Sequence, residues 1–287
     1  MSTASVRALA PRWRFLDSGA ADGATNMATD AALMAHARRT GVATFRVYSW
    51  DRPTLSLGRH ERARDRFDAA RIAAQGIGVV RRPTGGRALL HHREVTYSVT
   101  APVGAPGVAP GVAPGVAQGC APSLRESYAA INSVLLDALA RLGVSATIAG
   151  SARPLRPLRP EGAACFAEPS AGELTVGGAK LVGSAQLREA GALLQHGSIL
   201  LADDQRTIDA LRTCDAAARS MTASAATLGA ILGREVGYGE VRDALAGAFE
   251  QATGATAMAA VSETASLRAD IARLTIEFAE PSWTWRR

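Results

Sequence analysis

Lys180 is the only lysine among the 32 basic residues of this chain; every other one is arginine. Such uniformity fits a compositional bias such as a GC-rich coding sequence, and it makes the exception informative. An arginine is always protonated and spreads its charge over a plane. A lysine ammonium is a compact charge whose pKa shifts and whose proton can move, a difference that matters most in a reaction centre. The alternative is a lysine kept by chance on a solvated hairpin.

Cys165 precedes Lys180 by fifteen residues, just upstream of the hairpin that would carry the lysine. If the intervening segment folds back, the two side chains can meet, and an ammonium within about 4 to 6 Å favours a thiolate. Lowering the thiol from about 8.5 to about 7 would raise the thiolate fraction at neutral pH from a few per cent to about half, enough for a nucleophile. A small buried cysteine remains open as the other reading. His196, in "LQHGS", is either a base for that thiol or a core histidine satisfied by the backbone.

A second group lies in "RRPTGGRALLHH" (81 to 92). Gly85 and Gly86 would let backbone pass close to a ligand and present N–H donors, and Arg82 and Arg87 could orient a phosphate or carbonyl. A plain hairpin turn explains the same two glycines. No G-x-x-x-x-G-K-[ST] occurs, so a P-loop nucleotide site has no support. His91 and His92 are neighbours on an apparent strand, point opposite ways and make a poor metal pair.

The elements that must position these residues follow from periodicity. Strands are expected at 12–16, 44–50, 53–58, on either side of "PTGG", and at 94–100; helices at 26–39, stopped by Gly41, and 63–76, stopped by Gly76. "SLRESYAAINSVLLDALARLG" opens with Ser123 and Glu126 in capping-box spacing and places Leu124, Tyr128, Ile131, Leu135, Ala138 and Leu142 on one face. "ELTV", Gly177-Gly178 and "AKLVGSAQ" form a hairpin signal, with a strand at 191–201 after it. Residues 205–275 read as helical and "PSWTWRR" as extended. The Pro/Gly repeat at 104–119 reads as a flexible surface loop, and "RPLRPLRPEG" (153–162) as a rigid basic one.

The totals bound the rest. At 287 residues and 47% hydrophobic the chain can bury a sizeable core. "MSTASVRALAPRW" lacks the apolar segment of a signal peptide and no run is long enough to span a bilayer, so a cytoplasmic location away from membranes is expected. Cys120, Cys165 and Cys214 are odd in number and show no CxxC spacing, which argues against a disulfide framework or a structural zinc site and for at least one free thiol. A net charge of +6 and pI near 9.9 suit an acidic partner. Scattered arginines and 5% aromatics lack the alternation that binds single strands, so nucleic acid is not the expected partner.

"NMATDAALM", "PTLSLGR", "RRPTGGRALLHHREVTYSV", "ACF", "GGAKLVGSAQLR" and "LLQHGSILL", in this order from 26 to 201, resemble the lipoate-protein ligase and octanoyltransferase family. "HREVTYS" and the Cys165 to Lys180 arrangement are most similar to its LipM-type octanoyltransferase branch. The resemblance implies an α/β fold of mixed, largely antiparallel sheets with packed helices, shared with biotin protein ligases and related to the class II synthetase core. It implies a single domain over 1–287, with a catalytic core at 41–237, a helical extension at 238–287 and the Pro/Gly loop at 102–120 as an insertion. It implies octanoyl transfer from an octanoyl acyl carrier protein to Cys165 and on to a lysine of a lipoyl domain such as the glycine cleavage H protein. Lys180 would lower the Cys165 pKa, and Arg82, Gly85, Gly86, Arg87, His92, Gly183, Ser184, Ala185 and His196 would bind substrate. No cofactor or metal is required, because donor and intermediate are both thioesters; backbone N–H groups of the glycine turns would hold the developing oxyanion. An ATP-dependent lipoate ligase, in which Lys180 contacts an adenylate phosphate, a lipoyl amidotransferase between lipoyl domains, and a non-catalytic binder of carrier or lipoyl domains stay open.

Overall fold

In the computed structural model, residues 5–103, 122–150, 172–213, 225–256 and 264–286 are described. Cys120, Cys165 and Cys214, the Pro/Gly repeat at 104–119 and the basic segment at 153–162 lie outside them. The first strand, β1 (Arg12–Ala21), runs straight into a helix because the Asp22 side chain accepts the Thr25 N–H and caps α1 (Gly23–Thr40). Gly41 closes α1 at φ 70°, a backbone shape that glycine adopts at little cost. Next come β2 (Val42–Trp50) and β3 (Thr54–Leu57), then α2 (Ala69–Ala74), β4 (Gly78–Arg81), β5 (Leu89–His91) and β6 (Glu94–Pro102). The expected helix at 63–76 is thus only its second half. Asp68 caps it by accepting the Arg71 N–H, and the residues before it turn to bury Phe67 against the Arg212 segment.

The capping box at Ser123 and Glu126 is present and opens α3 (Leu124–Arg141). Ile131, Leu135 and Ala138 are buried as its stripe requires, whereas Leu124, in the first turn and beyond the sheet's cover, is exposed. After β7 (Thr147–Ile148), β8 (Leu174–Val176) and β9 (Ala179–Glu189) form the expected hairpin, with Gly177 and Gly178 at φ 58° and 81° as a two-residue turn needs. β10 (Ala192–Leu200) follows, then α4 (Thr207–Ala210), α5 (Leu228–Leu232), α6 (Tyr238–Thr253), α7 (Ala265–Ala279) and α8 (Pro281–Thr284). The closing segment, expected to be extended, starts a helical turn at Pro281, whose fixed φ suits that position.

Among the described residues the strands form a seven-stranded sheet, in the order β1-β2-β6-β10-β9-β8-β7, and a three-stranded sheet, β4-β3-β5. Only β1 with β2 and β3 with β4 are parallel, so the fold is the mixed, largely antiparallel α/β arrangement expected. Strand alternation sorts the large sheet into two faces. Phe45, Val47, Val95, Tyr97 and Val99 pack under α3 and α6, where Phe249 meets Phe15 and Phe45 at ring separations of 5.5 and 6.0 Å. Burying one such ring contributes about 1.5–3 kcal/mol. The opposite face carries polar residues, Arg46, Tyr48, Ser98 and His196, and α1 lies over it with α7 outside. The small sheet buries Leu55, Leu57 and Leu90 against Ile208 and Leu211 of the α4 region. No helix among the described residues is long and apolar enough to cross a membrane.

Candidate active site

β4 and β5 do not pair with each other: both flank β3. The segment "RPTGG" between them is therefore a crossover over the edge of β3, and the hairpin explanation of Gly85 and Gly86 does not hold. Arg82 shapes this crossover from within. Its guanidinium donates to the carbonyls of Ser56 (3.0 Å), Gly85 (2.9 Å) and Arg87 (2.8 Å), so its charge is spent largely on the loop's own backbone. Gly58 makes the approach possible, because a β-carbon there would collide with the Gly86 carbonyl. Gly86 itself sits at φ 98°.

Beside this loop, three central strands bring their residues level. Across the β9, β10 and β6 ladder the rows read Gly183, Ser198, Thr96; then Ser184, Gly197, Tyr97; then Ala185, His196, Ser98. A side chain at Gly197 would strike the Gly183 carbonyl and the Tyr97 ring, so the wall is built for close backbone contact. One cavity is lined jointly by Arg82, Gly86 and Arg87, by Gly183, Ser184 and Ala185, and by Lys180, His91 and His196, with Met27 and Leu89 supplying apolar surface. Gly85 is held beside it through Arg82, and Tyr97 anchors Ser184 by a 2.7 Å hydroxyl contact.

Lys180 is buried, with 2% of its side chain exposed, which removes the solvated-hairpin alternative. A register shift places it. Thr175 pairs with Lys180 but Leu174 pairs with Val182, so β9 carries one extra residue and its alternation breaks. Such bulges re-aim a side chain, and here Lys180 joins Gly183 and Ala185 in lining the cavity. Its ammonium lies 2.6 Å from Glu173 Oε1, and Glu173 lines the same space. Glu173 was missed as a site residue, although a signal existed. A two-residue turn at Gly177-Gly178 pairs 175 with 180 and puts 173 on the same face, diagonal to the lysine and within reach of long side chains.

The two adjacent histidines part company. His92 is on the surface, its ring bonded to Asp204 at 2.9 Å, and does not line the cavity. Burial pushes the Asp204 carboxyl up, with the His92 bond opposing it. His91 faces inward, stacked on Trp50 at 4.0 Å with Nδ1 2.6 Å from Glu94 Oε1. Neither Glu94 nor Trp50 stands out in the sequence, since the first is one charge in a polar run and the second only ends a strand.

His196 is held at both ring nitrogens. Nδ1 lies 3.0 Å from Asp30 Oδ2 and Nε2 lies 2.6 Å from the Thr84 hydroxyl. Burial pushes the Asp30 carboxyl up, but Arg46 at 2.8 Å, together with His196 and Ser98, outweighs it and holds Asp30 below the usual carboxylate range. An ionised Asp30 can only accept, so Nδ1 carries the hydrogen. Burial also lowers the His196 pKa, with Asp30 opposing, so the ring is neutral at pH 7 and Nε2 accepts from Thr84. Both ring nitrogens are therefore engaged, one by a carboxylate and one by a hydroxyl. Burial likewise raises the Tyr48 hydroxyl, which donates to Asp30, and pushes Tyr97 up to about 12. Among the described residues no group of three or more His, Cys, Asp or Glu side chains is placed to hold a metal ion.

Residues 22–250 match the lipoyl protein ligase A/B catalytic domain. The chain is 40% identical to a protein named octanoyltransferase LipM from Kyrpidia tusciae, over 96% of this chain and 99% of that one. It is 41% identical to the octanoyltransferase LipM of Symbiobacterium thermophilum over 85% and 87% of the two chains. Among solved structures, lipoate-protein ligase A bound with ATP is similar at TM-score 0.69 and 19% identity, over 96% of this chain and 98% of that one. A chain from an archaeal lipoylation system of Thermoplasma acidophilum, a bipartite lipoate protein ligase and its E2 lipoyl domain, is similar at TM-score 0.70 and 19% identity, over 96% of each. At such identity the structural likeness establishes the fold.

Proposed function

This chain belongs to the lipoyl protein ligase A/B catalytic domain family, and from that membership we propose that it is an octanoyltransferase of lipoate biosynthesis, working through a thioester on Cys165. The observation that carries the reading is end-to-end similarity to the octanoyltransferase of Kyrpidia tusciae, 40% identical across nearly the whole of both chains. The acyl donor is an octanoyl acyl carrier protein and the acceptor is a lysine of a lipoyl domain such as that of the glycine cleavage H protein.

The chemistry divides into two exchanges. The Cys165 thiolate attacks the donor carbonyl, the carrier's C–S bond breaks, and the carrier thiolate takes a proton as it leaves. The acceptor's neutral amine then attacks the cysteine thioester; a C–N bond forms, the C–S bond breaks, the nitrogen releases a proton to water, and Cys165 returns as thiolate. No phosphoanhydride is needed, because the first step trades one thioester for another. What supports this from the cavity is its content. Lys180 offers a buried ammonium that can lend and recover a proton, Met27 and Leu89 offer apolar wall for an alkyl chain, and Gly86 and Arg87 line the same cavity.

The test is the intact mass of purified protein after incubation with octanoyl acyl carrier protein, without ATP, in wild type and Cys165→Ala. A hydroxylamine-labile octanoyl adduct on wild type alone supports the reading. Acceptor acylation that appears only with ATP and free acid would overturn it in favour of a ligase. Transfer between lipoyl domains, with none from the carrier, would make it an amidotransferase.

A further inference from the structure

We propose that Glu173 is a positioning residue that keeps Lys180 protonated, and so non-nucleophilic, inside the acyl cavity. The protonation half of this stands on the pair's geometry; the acyl half rests on the transferase reading above.

The pair is buried on both sides, with 2% of the Lys180 side chain and 6% of the Glu173 side chain exposed, and the two charges 2.6 Å apart. An ammonium in such a place without a nearby anion is driven toward the neutral amine, by up to several pKa units. The surroundings sharpen that pressure. The charged and titratable groups that share the cavity are Arg82, Arg87, His91, His196 and Tyr48, none of which is anionic at neutral pH unless its tyrosine ionises, and burial holds that hydroxyl well above its usual range. Behind them, Asp30 is engaged by Arg46 and His196, and Glu94 by His91. Tyr97, also behind the wall, is pushed up to about 12 and feels Glu173 itself. Glu173 is the one carboxylate among the described lining residues.

The consequence is chemical. A neutral primary amine beside an acyl thioester attacks it: the amine nitrogen bonds the carbonyl carbon, the C–S bond breaks, and the nitrogen's proton passes to the departing thiolate. That is the reaction intended for the acceptor's lysine, and within one cavity the effective concentration of Lys180 would exceed that of any incoming partner. The product, an octanoyl amide on Lys180, cannot be undone by thiol exchange and would end the enzyme's working life. An ammonium has no lone pair and is inert. An arginine would be equally inert but could not lend a proton; a lysine that has lent one to the departing carrier thiolate regains it from water, and the carboxylate beside it holds that proton in place while the thioester waits for its acceptor.

The single lysine makes the test direct, since protein grown on lysine labelled with carbon-13 at Cε yields one lysine resonance, from Lys180. We expect its titration midpoint to fall by about 2 units or more in Glu173→Gln, and to return most of the way in Glu173→Asp. Equal midpoints in wild type and Glu173→Gln would overturn the proposal. This arm uses no substrate, so it is decided whether or not the chain transfers octanoyl. In the second arm, each protein is incubated with octanoyl acyl carrier protein, treated with hydroxylamine and mapped by peptide mass. Hydroxylamine-stable octanoyl on Lys180 in Glu173→Gln, and not in wild type, is the expected result. A shifted midpoint with no stable adduct, while wild type still forms its labile one, would overturn the protective role. A wild type that never takes octanoyl would instead overturn the transferase reading. If Glu173→Gln fails to fold, Glu173→Ala, which also removes the carboxylate, carries both arms, and an unshifted midpoint there overturns the proposal.

Discussion

Asp30 on α1 and His196 on β10 meet at 3.0 Å beneath the cavity, and the contact fixes which nitrogen of the imidazole carries its hydrogen. Arg46 completes the unit from β2, donating to Asp30 at 2.8 Å and to the Asn26 side chain at 2.8 Å. Removing Asp30 would strand the Arg46 guanidinium, which is almost fully buried. Asp30→Asn is expected to lose about 3–5 kcal/mol, the usual cost of breaking a buried pair by removing one partner. Urea unfolding of the variant checks this; a loss under about 1 kcal/mol would mean that water or relaxation replaces the carboxylate.

Acid should weaken the fold through His196 before it does so through Asp30. The His196 pKa is lowered by burial, so the unfolded chain takes up a proton there first. Its contribution is complete above about pH 6.5 and is lost as pH falls toward the lower folded value. His36, also lowered by burial, acts in the same direction. Asp30, held below its usual range, keeps its contribution until far more acid conditions. The urea midpoint of wild type should therefore drop between pH 7 and 5, with a visibly shallower drop in His196→Gln. Identical slopes would remove His196 as the cause.

Lys180→Arg keeps the charge beside Glu173 but gives up the movable proton. Transfer is expected to fall by about 100-fold or more, in the range that proton transfer by a positioned group contributes, while far-ultraviolet circular dichroism is unchanged. Turnover equal to wild type would show that charge alone is needed there.

The paired histidines separate cleanly by position. His92→Ala, at an exposed ring, should leave transfer within about twofold of wild type, whereas His91→Ala removes a ring stacked on Trp50 and facing the cavity and should lower kcat/KM by about tenfold or more. Steady-state kinetics on both variants decides it; the reverse order of effects would mean that the inward histidine is only packing.

Gly58→Ala should damage the site from outside it. The added methyl would meet the Gly86 carbonyl and push the crossover away from β3. A lower melting temperature and a raised KM for the octanoyl donor are expected, because overpacking costs about 1–3 kcal/mol. Unaltered values of both would mean that the loop relaxes freely.

Local chemistry alone determined much of this protein. The α1 stop at Gly41, the capping box at Ser123 and Glu126, and the Gly177-Gly178 hairpin are all written in neighbouring residues, and each formed where those residues call for it. Lys180 stood out for its type, and even its Glu173 partner could have been found by counting back across the hairpin. Tertiary structure decided what periodicity cannot encode. That "RPTGG" crosses over β3 instead of turning back on itself depends on which strands pair, and those pairings are long-range. The extra residue in β9 that turns Lys180 into the cavity breaks the alternation from which a face would be read. His91 and not His92 points inward because of where the small sheet meets the large one. The Asp30, Arg46 and His196 unit draws on three elements whose charges are isolated in the sequence, and only burial under α1 makes each of them costly without the others.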